Sequence, residues 1–292
     1  MKFRPRQELL SCSEFKRLIT RFHKMGFDKF RFTGGEPTLH PDLVELVRFT
    51  RSLSPSPFVA LTTNAYLLAK QARALADAGL QRVNISLDSM QPDRFLQLAR
   101  RGSLDKVLEG ISAAEEAGLE VKINTVVVQN FNEDEVVSLA ALTLKHPWQI
   151  RFLEMMPFGK NSDLQLQARV NTPALQSKIH AELGPLHPVG EGLDGEARVF
   201  RLQDAPGTIG FISPVSAPFC ASCNRVRLTA DGKLKLCLLK DGELDLREIL
   251  RGEHPDEEID RQILAGVARK PWGHDLSHNR FGTLRGMSEI GG

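Results

Sequence analysis

Short apolar, β-rich runs alternate with amphipathic stretches through roughly the first half of the chain. The strand-like runs are Phe30–Thr33, Phe58–Thr62, Arg82–Leu87, Val121–Val128 and Ile150–Met155. The first helix is predicted to begin at a capping box, Ser11 and Glu14, and to end near Gly26. Further helices are predicted at 41–52, at 67–78, in segments up to 118, and at 132–145. Strands that alternate with helices across short glycine-marked turns predict a parallel sheet with right-handed crossovers.

The pattern changes near residue 157. The polar stretch from Pro157 to Val170 is predicted to be a linker. Beyond it the sequence has β-like runs and two predicted helices: Thr208–Ile212, Arg225–Thr229, Lys233–Leu239, Leu246–Leu250 and Asp256–Arg269. We therefore predict two domains, an α/β sheet domain at 1–157 and a smaller α+β domain at 158–292.

The composition narrows the class of protein. The 38 lysines and arginines nearly balance the 36 aspartates and glutamates, so there is no basic excess of the kind that marks a nucleic-acid-binding protein. No apolar run is long enough to span a membrane, and the basic start is not followed by the apolar core of a secretory signal. We expect a cytoplasmic protein that holds any anionic ligand with a few placed arginines and lysines.

The cysteines indicate a metal centre. The chain has four of them, Cys12, Cys220, Cys223 and Cys237. The last three fall close together, and disulfides are not expected in a cytoplasmic protein of this size. A zinc ion would need a fourth ligand, such as His274 or His278. An iron–sulfur cluster usually has four cysteine ligands, so three would leave one iron open. The residues alone leave both metals open.

Two further groups of residues are candidates for ligand binding. Gly35 and Glu36 follow a predicted strand, where glycine permits close backbone approach and the carboxylate can bind an ammonium group. Arg225 and Arg227 alternate along a predicted strand, so they should share a face and can clamp a phosphate chain together. Taken alone, each group is better explained by an ordinary turn or by ordinary salt bridges.

In combination, these segments resemble a known family. The segments that carry the likeness are Lys29–Pro37, Leu61–Asn64, Asn84–Asp88, Val121–Asn124, Arg151–Met156, Phe219–Leu228, Cys237 and the terminal Gly291–Gly292. They are similar to the GTP 3′,8-cyclases, radical S-adenosylmethionine enzymes that open molybdenum-cofactor biosynthesis. A peptide-modifying radical enzyme fits less well, because such enzymes usually carry more cysteines near the carboxyl end.

The resemblance implies a fold, a reaction and a set of site residues. The fold would be a partial (β/α) barrel of the radical S-adenosylmethionine type, without its first strand. The reaction would convert GTP to (8S)-3′,8-cyclo-7,8-dihydroguanosine 5′-triphosphate, and a cyclic pyranopterin monophosphate synthase would use the product. The implied ligands of a [4Fe–4S] cluster are Cys220, Cys223 and Cys237. The implied GTP contacts are Arg31, Thr62, Lys122, Arg225, Val226 and Arg227. The implied S-adenosylmethionine contacts are Gly35, Ser86 and Met156, to which Glu36 is added by the ammonium argument.

The sequence departs from the family pattern at its start. The family carries a second [4Fe–4S] cluster on an N-terminal CxxxCxxC loop, where S-adenosylmethionine is bound and cleaved. Here Met1 begins the stretch that would follow this loop, either because it is an internal methionine of a longer gene or because the chain is a shortened isoform. We expect the chain as given to bind its C-terminal cluster and GTP without cyclase activity. The alternative is a non-catalytic nucleotide- or cluster-binding partner, and a homodimer is possible in either case.

Overall fold

The computed structural model describes residues 5–99, 102–157, 162–252 and 254–274. The strands are β1 Lys29–Phe32, β2 Phe58–Thr63, β3 Arg82–Ser86, β4 Glu120–Val127, β5 Gln149–Glu154, β6 His187–Asp194, β7 Ala197–Arg201, β8 Thr208–Ile212, β9 Arg227–Leu228, β10 Lys233–Lys235 and β11 Glu243–Asp245. The helices are α1 Cys12–Lys24, α2 Leu43–Arg51, α3 Ala72–Asp77, α4 Pro92–Ala99, α5 Leu104–Glu116, α6 Val136–Ala141, α7 Ser162–Gln167, α8 Thr172–Leu183, α9 Leu246–Arg251 and α10 Asp256–Ala268. Within these ranges no helix is both long and apolar enough to cross a membrane.

An open, mostly parallel sheet forms the larger part of the fold. Its strand order is β1-β2-β3-β4-β5-β8-β7-β6, with parallel pairing from β1 to β8 and antiparallel pairing from β8 through β7 to β6. Among the described residues β1 and β6 are the two edges, so the barrel is not closed. A separate antiparallel sheet is formed by β9, β10 and β11. The predicted class, a partial α/β barrel followed by a smaller mixed region, is confirmed.

The two faces of the parallel sheet differ in chemistry because side chains alternate along each strand. One face is apolar, contributes residues such as Leu61, Ile85 and Phe152, and packs into the main hydrophobic core. The register of the strands places Thr62, Asn84 and Lys122 side by side on the opposite face. That face is therefore polar and charged. Parallel strands are commonly apolar on both sides, so a charged face indicates a site rather than a core.

The sheet continues past the predicted domain boundary. β8 follows residue 157 by some fifty positions, yet it pairs in parallel with β5 along its whole length. β6 and β7 then extend the sheet, although neither strand was predicted from the sequence. Every residue of β6 is exposed, so this edge strand lacks the apolar alternation that sequence patterns detect. The predicted boundary between two domains at residue 157 does not coincide with a break in the sheet, and this division of the chain stays a prediction.

Three predicted segments differ from the structure. The helix expected at 67–78 is interrupted at Gln71, whose side chain turns away to donate to the carbonyl oxygen of Thr38 at 2.9 Å. The helix expected at 132–145 is α6 with a turn of 3-10 helix on either side. The predicted linker at 157–170 contains α7. The capping box of α1 is present as predicted.

A second hydrophobic core joins the two ends of the described chain. Leu18 and Phe22 on α1 belong to the same buried cluster as Leu234 on β10, Leu246 on α9 and Ile263 on α10. Ion pairs border this core, and in one of them Arg17 Nε lies 2.8 Å from Asp256 Oδ1. The first helix of the sequence therefore packs with the C-terminal elements.

Glu14 and Arg251 tie α1 to α9 and give this second core a pH dependence. Arg251 Nε donates to Glu14 Oε1 at 2.6 Å, and this hydrogen bond lowers the pKa of Glu14 from 4.5 to about 2. In the unfolded chain the Glu14 carboxyl binds a proton at a higher pH than it does in the folded protein. The interaction therefore gives its full stabilisation above pH 4.5 and is lost as the pH falls toward about 2. A Glu14→Gln variant is therefore expected to match the wild type in urea unfolding near pH 2 and to be less stable at pH 6.

Arg251→Met supplies the matched control for that comparison. It removes the other partner, so the double variant should be no less stable than the less stable single variant at pH 6. Additive losses from the two single changes would contradict a direct interaction.

Candidate functional site

A pocket of about 470 Å³ lies at the carboxyl ends of β1, β2 and β3. Its lining includes Glu36, Asn64, Tyr66, Ser86, Asp88 and Phe95. Polar groups therefore line one part of the pocket, and aromatic and aliphatic side chains line the rest. Sites in parallel sheets form at this edge, because the loops that leave the strands converge there.

Glu36 organises the loop at the mouth of this pocket. Its Oε1 accepts hydrogen bonds from the amide nitrogen of Thr38 at 3.0 Å and from the hydroxyl of Thr63 at 2.6 Å, and its Oε2 accepts from the amide of Asn64 at 2.8 Å. The carboxylate thus joins the turn after β1 to the end of β2. Gly34 precedes it with a φ of 153°, which an L-residue rarely adopts. Oε1 also accepts from the hydroxyl of Thr38 at 2.6 Å, so its lone pairs are used. Oε2 accepts from the Asn64 amide and has a second lone pair, which is compatible with binding a ligand ammonium group.

Basic side chains gather on the charged face of the sheet, next to this pocket. Arg151 on β5 lies in the register row of Ser86 and Asn124, and Lys122 on β4 lies one row closer to the amino ends of the strands. Arg31 projects from β1 at the edge of the same face. The pocket and the cations are therefore neighbours along the strands.

Arg151 is the central cation, and sequence reasoning did not single it out. Its side chain is only 3% exposed. Its Nε donates to Asn124 Oδ1 and one terminal nitrogen donates to Asn84 Oδ1, both at 2.8 Å. A Cβ at Gly210 on β8 would lie 3.1 Å from Arg151 Cγ, so glycine at this position makes room for the arginine. A charged residue between two large apolar residues, Ile150 and Phe152, was the available signal.

Two carboxylates reach these cations from the tip of the β6–β7 hairpin. Lys122 Nζ donates to Asp194 Oδ2 at 2.6 Å. Glu196 Oε1 lies 3.4 Å from Arg151, and its Oε2 lies 3.1 Å from Arg225. The hairpin thus connects strands of the sheet with the segment that follows Cys223. Neither acid was predicted, because nothing local in the sequence indicates which distant residues a hairpin tip contacts.

The protonation equilibria reflect crowding of like charges. Burial lowers the pKa of Arg151 to about 10, with the charge of Arg31 adding to the effect and Glu196 opposing it. Burial likewise lowers the pKa of Arg227 to about 10, with the charges of Arg31 and Arg225 acting in the same direction. Burial acts to raise the pKa of Glu196, but the surrounding arginines outweigh it and bring that pKa below 4.5. The cations therefore remain charged at neutral pH and repel one another.

The three clustered cysteines lie on two segments that fold side by side. Cys220 begins a 3-10 turn, and the amide of Cys223 donates to the carbonyl oxygen of Cys220 at 3.1 Å. β9 pairs with β10 through Arg227 opposite Lys235, so the segment that follows Cys223 leads into an antiparallel pair with the segment that leads to Cys237. All three thiols are partly exposed and free of disulfides.

The donor set of the three clustered cysteines can be compared with what a metal centre needs. Within the described ranges, no three His, Cys, Asp or Glu side chains are placed to share one metal ion. His274, considered as a fourth zinc ligand, instead places Nε2 2.7 Å from the carbonyl oxygen of Pro214. The three thiols are soft donors, partly exposed and not joined in disulfides, and soft thiolates suit iron–sulfur chemistry. The cysteines present therefore fit a cluster.

The other predicted site residues take varied positions. Thr62 lies beside Asn84 on the charged face, and Val226 packs at the second core next to the two arginines. Gly35 is exposed in the turn after β1, and Met156 is partly exposed after β5. The predictions for His278 and for Gly291–Gly292 lie outside the described residues.

Comparison with known proteins gives consistent matches along the chain. Residues 1–143 match the Radical SAM superfamily, and residues 148–276 match the family described as Molybdenum Cofactor Synthesis C. A GTP 3′,8-cyclase of Pelotomaculum thermopropionicum is 42% identical over 290 residues, which cover 99% of this chain and 89% of that protein. A GTP 3′,8-cyclase of Microcystis aeruginosa is 45% identical over 298 residues, covering 98% and 90%.

Solved structures agree at the level of the fold. The chain is similar to Streptococcus suis SuiB bound to S-adenosylmethionine, with a TM-score of 0.64 at 13% identity. The similarity covers 92% of this chain, which spans 62% of the length of SuiB. A second SuiB structure, bound to the precursor peptide SuiA, matches with a TM-score of 0.57 at 14% identity. These likenesses show the architecture alone.

Proposed function

The chain belongs to the GTP 3′,8-cyclase family, as relatives at least 40% identical over nearly its whole length show, and on this premise we propose that its charged sheet face binds the triphosphate of GTP for cyclisation in molybdenum-cofactor biosynthesis. The resemblance stated from the sequence is thereby confirmed at the level of the family. The individual residue roles and the lyase chemistry remain part of the proposal.

The observation that carries the proposal is an excess of positive charge on one face. Six basic side chains lie on or beside it, and Glu120 is a carboxylate on the face itself. The six are Arg31, Arg82, Lys122, Arg151, Arg225 and Arg227. Asp194 and Glu196 are the two carboxylates described above as reaching them from the hairpin. Like charges that share a partly buried site repel one another strongly, so a polyanion would relieve the repulsion. Arginine forks match phosphate oxygens in geometry, and a triphosphate has the charge and length to contact several of them.

The pocket at the carboxyl ends of β1 to β3 is the proposed site of S-adenosylmethionine. Its volume falls in the range of small-molecule sites. Glu36 and the backbone around Gly35 would hold the amino-acid end, Ser86 would lie beside it, and the apolar lining would receive the rest of the molecule. Iron–sulfur and S-adenosylmethionine chemistry would supply the radical when those groups are bound. The chain's own part is to hold both ligands on one face and to exclude water between them.

The cysteine segments complete the proposed nucleotide site. Cys220, Cys223 and Cys237 would bind a [4Fe–4S] cluster with one iron left open for the guanine base. Arg225 follows Cys223 by two positions, so the phosphate-binding arginines and the cluster lie on one segment. The product would pass to a cyclic pyranopterin monophosphate synthase. A homodimer and a cytoplasmic location also belong to this proposal.

Nucleotide binding to the 292-residue chain tests the proposal. GTP is expected to bind about 100-fold more tightly than guanosine, because two charge-assisted hydrogen bonds contribute roughly 1.5 kcal/mol each. Isothermal titration calorimetry with GTP, guanosine and inorganic tripolyphosphate would measure this, and tripolyphosphate should compete with GTP. An Arg225→Met variant should lose most of the preference, whereas Arg73→Met on exposed α3 should keep it. Equal affinity for GTP and guanosine would count against the proposal.

A further inference from the structure

The segment that follows α10 lies between the two parts of the chain that carry the clustered cysteines. Lys270 comes two residues after the end of α10, and its Nζ donates to the carbonyl oxygens of Arg225 at 2.9 Å and Leu236 at 2.5 Å. Arg225 lies two residues after Cys223. Leu236 directly precedes Cys237. One ammonium group therefore bridges the backbones of both cysteine-bearing segments.

The same segment also reaches the remaining cysteine. A Cβ built at Gly273 would lie 3.8 Å from the Cβ of Cys220. A pocket of about 260 Å³ beside Cys237 is lined in part by Arg269 and Pro271, which flank Lys270. The residues after α10 thus contact the surroundings of all three thiols. Among them, Lys270 donates hydrogen bonds to both segments that carry the cysteines.

We propose that Lys270 is a positioning residue of the three-cysteine site. It fixes the spacing of the two segments that carry Cys223 and Cys237, and it places a positive charge beside the bound cluster. The inference rests on the proposed function, because it presupposes an iron–sulfur cluster at these cysteines.

The chemistry of the lysine side chain explains both effects. An ammonium group has three donors and no acceptor, so it can hold two carbonyl oxygens at a short fixed separation. Without it, those two oxygens would face each other with no donor between them. A [4Fe–4S] cluster bound by three thiolates carries a net negative charge, which grows on reduction. A nearby cation therefore stabilises the reduced form, as outer-sphere groups at metal sites commonly do.

Four variants of the full chain, reconstituted with iron and sulfide without oxygen, test the proposal. Lys270→Met removes the hydrogen-bond donors and the charge. Lys270→Gln removes the charge and shortens the side chain, and Lys270→Arg keeps the charge and the donors. Arg261→Met is the matched control, because this cation is exposed on α10 and pairs within its own helix, with Glu258. The measurements are the rate of iron release to a chelator and the reduction potential of the cluster, with circular dichroism of the iron-free proteins as a check on folding.

The expected result is that Lys270→Met releases iron about 10–100-fold faster than wild type, the usual effect of losing an outer-sphere partner. Its reduction potential should move to a more negative value, whereas Lys270→Arg and Arg261→Met should stay close to wild type in both measurements. Should Lys270→Met fail to fold, Lys270→Gln gives the same comparison. Wild-type release rates and potential in either uncharged variant would overturn the inference alone. Failure of wild type to take up any iron would overturn the proposed cluster, and the inference with it.

Discussion

Cys220→Ala is expected to abolish iron binding by the chain. Only three thiols are grouped at the C-terminal site, and two cannot hold a four-iron cluster against dissociation. Reconstituted wild type should carry about four iron atoms per chain and the variant less than about one. Iron and acid-labile sulfide assays on protein kept free of oxygen would measure this, together with the brown colour of the cluster.

Cys12→Ala is the matched control for this experiment. Cys12 is the first residue of α1 and lies outside the cysteine cluster in sequence, so its loss should leave the iron content unchanged. Equal iron in both variants would show that Cys220 is not a ligand. A colourless wild-type protein that retains zinc would favour the structural zinc site left open by the spacing of the cysteines.

Arg151→Met is expected to lower the free energy of unfolding by about 1–3 kcal/mol, because the side-chain oxygens of Asn84 and Asn124 would lose their donor. Glu196 would lose one of its cations but keep Arg225 at 3.1 Å. Urea unfolding at neutral pH would measure the change. GTP binding should weaken as well, since Glu196 would then pair more closely with Arg225 and compete with the phosphates.

A second variant at position 151 separates charge from geometry, and a variant elsewhere serves as the control. Arg151→Lys keeps the charge but cannot reach both asparagines with a planar fork, so an intermediate loss of stability is expected. Arg73→Met removes a solvent-exposed ion pair with Asp77 and should change stability by less than about 1 kcal/mol. An Arg151→Met protein that unfolds at the wild-type urea concentration would show that the buried network does not stabilise the fold.

The sequence predicted the elements whose signals are local. The capping box of α1 and the β1 to β5 strands depend on residues a few positions apart, and the structure confirms them with strand ends shifted by at most one residue. The candidate contacts Arg31, Thr62 and Lys122 fall on one sheet face because alternation along a strand fixes the side on which each residue projects.

The parts of the site that the sequence did not predict depend on distant pairing. Arg151 meets Glu196 only because β8 and β7 pair beside β5, and no local pattern encodes that order. Lys270 contacts Arg225 and Leu236 across 45 and 34 positions in sequence. Such contacts follow from the packing of whole elements. The motif of cysteines and arginines was visible early, whereas the residues that hold it in place became visible only in the structure.

The packing of α1 with the C-terminal elements has a consequence for biosynthesis. The ribosome completes α1 at Lys24, but α9 begins only at Leu246 and α10 follows it. At about 5–20 residues per second, the nascent helix waits roughly 10 to 45 seconds for the partners that cover Leu18 and Phe22. During that interval its apolar stripe stays accessible to chaperones, and the second core is among the last parts of the molecule to form.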